Sequence, residues 1–299
     1  MTFEKDELLE EDFSEYTSIE EYKTKLQELK NIDLANSTLE EIEQCFEKYI
    51  KIIPSLTAFF SIENFNTFQF YRVRLNIDSD SEALNLIRTY SYPLPQFCKQ
   101  NGRANLKNKS VFYCTNSPIT AILESRPKVG DIGYLSIWEA KTNRMMKGGI
   151  LLPKDLKNSN LWQPLTIDIH KNTFENYSKE RKAEFYLETI DFVANLFLTE
   201  KEPYPFTSLA SNELIYGEKW KDFIVYPSFL HDGHSSNMAI HPNIVDTFLK
   251  FKKVIRFKLL DIQNDKHTYS TGRVGEIVNT DIKWRYANDG ELDFEKFPQ

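Results

Sequence analysis

The spacing of apolar residues changes character near Pro54, and that change constrains the fold more than any other feature of the chain. Before it, apolar positions recur at helical intervals. Ser18 stands as a capping residue ahead of Ile19, Tyr22, Leu26 and Leu29, which share one helical face. Ser37-Thr38-Leu39-Glu40 reads as a capping box, with Leu39, Ile42, Phe46 and Ile50 following on one side. After Pro54, strict alternation takes over. Phe68–Ile77 predicts a strand, and Ser110–Cys114, Gly133–Ala140, Asp222–Ser228 and Val254–Leu260 predict four more.

Helical stretches lie between these strands. Ser117-Pro118 opens one with proline in its first turn, and it runs to Glu124. A long helix is predicted over Thr173–Thr199, with Phe185, Ile190, Val193 and Phe197 facing a core. Thr207–Tyr216, closed by Gly217, forms another, and Ser81–Thr89 and Ile244–Phe251 read as short helices. Strands and helices interspersed in this way predict an α+β fold with a mixed sheet, rather than a sandwich or a bundle. The texture divides the chain into an N-terminal helical module (1–58), a main domain (59–265) and a polar C-terminal extension (266–299).

Composition narrows the function. The 299 residues carry 37 Lys+Arg against 44 Asp+Glu, a net charge of −7, which argues against a broad nucleic-acid surface. Phe192–Leu198 is among the longest apolar runs and falls far short of the roughly 20 residues that span a bilayer, so no membrane partner is expected. The acidic start MTFEKDELLEEDF lacks the apolar stretch of a signal peptide. Cys45, Cys98 and Cys114 have neither metal nor redox spacing and read as reduced thiols of a cytoplasmic protein. The 10 glycines form neither a dinucleotide-binding fingerprint nor a P-loop. Any bound nucleotide must therefore be held by charged side chains and helix termini.

Three segments carry chemistry-bearing residues. In Tyr71-Arg72-Val73-Arg74, the two arginines share one face of a predicted strand; alone they would read as a solvated edge. Gly102-Arg103-Ala104-Asn105 leads through Val111-Phe112-Tyr113 to Thr120-Ala121-Ile122-Leu123-Glu124, where the glutamate alone would read as the polar face of a helix. Tyr226-Pro227-Ser228 places a serine at the end of an apolar strand, where turn chemistry alone would account for it. His231, Asp232, His234 and His241 match no standard ligand spacing, so no metal is expected. Cys98 or Cys114 paired with a histidine lacks any thiol-protease signature.

Taken in order, these segments resemble the RES domain family, named for an arginine, a glutamate and a serine. Tyr71-Arg72 is similar to its first block. Arg103, Asn105, Tyr113, Thr120, Ala121 and Glu124 are similar to its second, and Phe223–Ser228 to its last. Asn237–Pro242 is also similar, and the likeness spans roughly residues 65–260. Ala104 stands where the family often has tryptophan.

The resemblance implies a fold related to ADP-ribosyltransferases. It implies cleavage of the nicotinamide–ribose bond of NAD⁺, a substrate rather than a cofactor, by a glycohydrolase or phosphorylase. It also implies a bacterial toxin or defence effector, restrained by an antitoxin or other regulatory protein, or by homo-oligomerisation. Transfer of ADP-ribose to a macromolecule, or a non-catalytic RES-like binding or assembly module, are the alternatives.

The residue types suit that reaction. Nicotinamide leaves NAD⁺ as a neutral base, so the demand falls on stabilising an oxocarbenium-like ribose. Glu124 is the candidate for that task. Arg72 and Arg103 would grip the pyrophosphate, with Arg74 as the alternative. Tyr71 and Tyr113 would stack on a ring or bind ribose, and Asn105 would support binding. Ser228 would hydrogen-bond near the reacting ribose, with no neighbour marking it as a nucleophile.

Overall fold

A computed structural model describes residues 13, 15–50, 56–156, 160–177, 182–217, 220–228, 230, 235–263 and 266–288. In chain order the elements are α1 (Ile19–Lys30), α2 (Leu39–Tyr49), β1 (Leu56–Phe60), α3 (Ile62–Phe65), β2 (Gln69–Leu75), β3 (Phe112–Thr115), α4 (Pro118–Glu124), β4 (Ile132–Ala140) and β5 (Met146–Ile150). They continue with α5 (Gln163–Tyr177), α6 (Lys182–Thr199), α7 (Pro205–Tyr216), β6 (Phe223–Pro227), β7 (Ser236–Ile240), α8 (Pro242–Phe248), β8 (Leu249–Gln263), β9 (Lys266–Val278) and β10 (Asp281–Tyr286). The protein is a mixed α+β structure. Its described residues fall into two compact units, each assembled from segments distant in sequence: Met1–Phe60, Pro93–Val111 and Met146–His241 in the first, and Ser61–Tyr92, Phe112–Met145 and Pro242–Gln299 in the second.

The first unit holds the strand order β1-β5-β6-β7, with β5 and β6 parallel and the outer pairs antiparallel. Helices α6 and α7 pack against β6, and α1 and α2 pack in turn against α6 and α7. Ser18 caps α1 by accepting from the Glu21 backbone, which leaves Tyr22, Leu26 and Leu29 on the buried side. The Tyr22 hydroxyl reaches Thr189 on α6 at 2.7 Å, and the Phe46 ring meets Phe206 on α7 at 5.7 Å. The capping box of α2 lies one residue later than the sequence pattern suggests. Thr38 caps the Glu41 backbone and Glu41 accepts from the Thr38 amide at 2.8 Å, because the helix starts at Leu39 and its third residue is Glu41.

The single helix predicted over Thr173–Thr199 is two helices, α5 and α6. The first begins ten residues earlier, at Gln163, because the Asn160 side chain accepts from the Trp162 amide at 3.0 Å and nucleates the turn. Phe185, Ile190, Val193 and Phe197 are all buried, as their spacing predicts. Strands β1 and β5 carry no alternation that the sequence pattern registered; β5 contains Gly148 and Gly149 and gains its place from pairing with β6.

The second unit is an antiparallel sheet in the order β3-β2-β4-β8-β9-β10. One face carries Tyr71, Leu135, Ile137, Ile255, Phe257 and Val274, and Ala121 and Ile122 of α4 pack into that cluster. The other carries a chain of rings: Phe112 on Trp138 at 5.2 Å, Trp138 on Phe251 at 5.4 Å and Tyr90 on Phe251 at 6.0 Å.

Here too the structure departs from the sequence expectation. The polar segment after residue 265 supplies β9 and β10, which are held by backbone pairing along β8 rather than by an apolar stripe of their own. Strand β8 runs longer than predicted for the same reason, and it starts at Leu249, which cuts the helix expected over Ile244–Phe251 short at Phe248. Ser81–Thr89 forms turns and ends in a short 3₁₀ segment at Ile87–Tyr90.

Gly133 is required by close approach. The Phe257 ring, paired with it across β4 and β8, lies where a side chain would begin: a Cβ added there would sit 2.0 Å from its Cζ atom. Phe257 is itself 1% exposed and has nowhere to move. Gly133→Ala should therefore destabilise the protein by about 1–3 kcal/mol, read as a lower urea midpoint. Combined with Phe257→Leu, the cost should be less than the sum of the two single changes. Additive behaviour would show that the ring contact is not the cause.

Candidate functional site

The residues singled out by sequence divide between the units. Tyr71, Arg72, Arg74, Tyr113 and Glu124 belong to the second, and Arg103, Asn105 and Ser228 to the first.

In the second unit, strand alternation sends neighbouring residues of β2 to opposite faces. Tyr71 points into the cluster beneath α4 and is 0% exposed, so its ring is engaged by core residues and offers no face to a base. Burial pushes its hydroxyl up to about 12, and that hydroxyl donates to Gln69 at 3.0 Å. Arg72 and Arg74 both project to the ring-bearing face, as their two-residue spacing predicts.

Their settings differ. Arg72 donates through Nε to the Ser91 carbonyl at 3.1 Å and through Nη1 to the Tyr113 carbonyl at 3.0 Å, and its guanidinium lies 5.7 Å from the Phe112 ring centre. Bonds to carbonyl oxygens orient a guanidinium without cancelling its charge. Arg74 instead meets Glu82 in a two-pronged pair, Nη1 to Oε2 at 2.5 Å and Nη2 to Oε1 at 2.8 Å, and also donates to the Thr89 carbonyl at 2.7 Å. It fastens the 78–91 segment to β2.

Helix α4 opens with Ser117 accepting from the Thr120 amide and with Pro118 at its first position, as the sequence predicts. Glu124 is its last residue and is half-buried. The buried residues of α4 lie against the Tyr71 face of β2, whereas Arg72 and Arg74 leave from the other face. Tyr113 alternates with Phe112 on β3 and is half-buried.

In the first unit, the Gly102–Asn105 stretch is a tight turn. Gly102 N–H donates to Asn105 O at 2.9 Å and Asn105 N–H returns to Gly102 O at 3.3 Å, which puts Arg103 and Ala104 at the tip. Asn105 is buried and its side-chain Nδ2 donates to the Leu106 carbonyl at 2.9 Å. The Arg103 guanidinium donates to the Phe197 carbonyl in the last turn of α6 and lies 4.8 Å from the Tyr204 ring centre. The Phe197 ring packs on Tyr226 at 4.9 Å. Ser228, two residues beyond Tyr226, is fully buried, with its amide donating to the Ser235 carbonyl at 2.8 Å.

Several partners of these residues escaped the sequence reading. Glu82 sits in an acidic, aperiodic loop. Tyr204 is flanked by Pro203 and Pro205 and takes a left-handed backbone with φ of 57°, a turn signal without a chemical one. Glu200 accepts from the Phe206 and Thr207 amides at 2.8 and 2.9 Å and from the Thr207 hydroxyl at 2.6 Å, closing the start of α7. Burial raises its carboxyl above the usual range, and those three donors together with Arg103 oppose the rise.

His231, Asp232 and His234 lie outside the described residues. His241 packs at a tilt between Trp220 and Tyr216, with ring centres 4.3 and 4.7 Å away, and burial lowers its pKa. Cys45, Cys98 and Cys114 are free thiols, and burial raises that of Cys114, which keeps it protonated. Among the described residues, no helix is long and apolar enough to cross a membrane.

The Arg74–Glu82 pair makes a pH-dependent contribution to stability. Arg74 holds the Glu82 carboxyl below its ordinary value, so the contribution is complete above the unfolded carboxyl's pKa and is lost as pH falls through the lower folded value. Because Glu82 is 38% exposed, Glu82→Gln should cost only about 0.2–1 kcal/mol near neutrality. The gap between variant and parent should close on acidification, as followed by urea midpoints against pH. A constant gap would show that the charge is irrelevant.

No family model matches the chain, and no curated protein matches it.

Proposed function

We propose that this protein consumes NAD⁺ by cleaving its nicotinamide–ribose bond, with water or inorganic phosphate as acceptor, in the manner of a toxin or defence effector. The observation that carries the reading is the way Arg72 and Arg103 are seated. Each donates to a backbone carbonyl and lies near an aromatic ring, an arrangement that fixes the direction in which a guanidinium points, as two-pronged recognition of a phosphate requires. Arg74, whose charge is met by Glu82, takes the structural role. Glu124 is the carboxylate assigned to the developing ribose cation, and fixed electrostatic stabilisation of this kind is worth about 3–4 kcal/mol. Tyr113 is assigned to a ring or ribose contact. A neutralising partner protein, or assembly into an oligomer, would restrain a free NADase in its own cell.

A second reading has its own support. The buried residues of α4, which ends in Glu124, pack on the face of β2 opposite Arg72. That placement favours a RES-like binding or assembly module in which the acid and the arginine serve separate purposes.

Incubating the pure protein with NAD⁺, with and without phosphate, and measuring nicotinamide, ADP-ribose and its phosphorylated product separates the readings. NAD⁺ loss is expected, and Glu124→Gln should reduce kcat by about 10²–10³ with an unchanged melting temperature. Arg103→Ala should raise KM more than it lowers kcat. Nicotinamide release without free ADP-ribose, and with label on a macromolecule, would reassign the acceptor. No NAD⁺ loss under any of these conditions would favour the binding module.

A further inference from the structure

A pocket of about 620 Å³ opens in the first unit, and none of the eight residues discussed above lines it. It lies among α1, α5, α6 and the 151–156 segment. Its deeper part is formed by His170 of α5 with Glu188 and Asp191 of α6. His170 is only 5% exposed, and its Nε2 atom is buried with no hydrogen-bond partner. The nearest carboxylate oxygen, Asp191 Oδ1, is 3.8 Å away, beyond hydrogen-bonding range. That oxygen already accepts from the Lys154 amide at 3.0 Å. A buried ring nitrogen left in this state costs free energy unless something supplies its missing bond.

The charges are layered. Glu188 and Asp191 are half-buried, while Lys23, Lys154 and Lys171 are exposed around the mouth together with Asp155 and Glu184. Lys23 reaches Glu188 only at 3.6 Å. Burial raises the carboxyls of both Glu188 and Asp191, and it pushes His170 down to about 4, so the imidazole is neutral near neutrality and one of its nitrogens is an acceptor. The inner pocket is therefore lined by acceptor groups, with three lysines and two acids at the mouth. An anion would have to pass the lysines and then face two carboxylates. Among the described residues no three side chains are grouped as a metal ion requires.

We propose that this pocket binds a small molecule bearing a primary ammonium group, which places N–H donors on Asp191 and the His170 ring, with Glu188, three residues before Asp191 on α6, as a further acceptor lining the same pocket. A protonated amine carries three donors on one compact charge, enough for both neighbouring acceptors. The volume lies within the range usual for small-molecule sites. A ligand with a carboxylate at its other end would place that group near the lysines, so the source is either a simple diamine or an amino acid.

Calorimetric titration of the full chain with putrescine, ornithine and 1,4-butanediol, without NAD⁺, tests this independently of the activity proposed above. One or both amines should bind saturably and the uncharged diol should not. Ornithine binding more tightly than putrescine would identify the amino-acid source, and the reverse order the diamine. Asp191→Asn and Glu188→Gln should each weaken binding at least about tenfold, or about 1.4 kcal/mol, at unchanged melting temperature. Should Asp191→Asn fail to fold, the less buried Glu188→Gln decides. Equal binding of the diol, binding unaffected by these changes, or no binding of either amine at about millimolar concentration would overturn the proposal.

Discussion

Strand β3 meets β2 through one residue pair, Tyr71 with Thr115, and the Arg72 side chain adds a bond across that short ladder. Its guanidinium donates to the Tyr113 carbonyl, a backbone acceptor on β3, and to the Ser91 carbonyl at the end of the loop that leaves β2. One side chain thus ties three stretches of chain. A lysine has no fork with which to span two acceptors in different directions, so arginine is the residue type this junction demands. The same bonds fix the position of the guanidinium on the ring-bearing face.

The two arginines of β2 illustrate how much was legible in the sequence. Alternation placed both on one face, and the structure agrees, because period two follows from the pleat itself. What separates them is the partner, and Glu82 lies in a stretch that reads as a short helix but forms turns, so the sequence pattern does not bring it to Arg74. The same limit explains the other departures. Helix α6 was readable from its buried positions because burial writes a pattern into a sequence. Strands β9 and β10 were not, because backbone pairing to β8 holds them and leaves side-chain composition free to be polar. Gly102 marks the stretch that presents Arg103, but the anchor of Arg103 on Phe197 joins residues 94 apart in sequence, and no local signal encodes that.

Within the first unit, two helix ends and two side chains of opposite sign form one arrangement. The last turn of α6 exposes carbonyl oxygens, and Arg103 meets one of them. The first turn of α7 exposes amides, and Glu200 meets two of them. Each charge therefore stands at the helix end whose dipole favours it. The two also attract each other, and Arg103 opposes the rise that burial imposes on the Glu200 carboxyl. The five residues from Glu200 to Tyr204 turn the chain from one helix to the next, with Tyr204 in a left-handed conformation and its ring near Arg103. Arg103 and Glu200 together therefore fasten the turn between α6 and α7 from both of its ends.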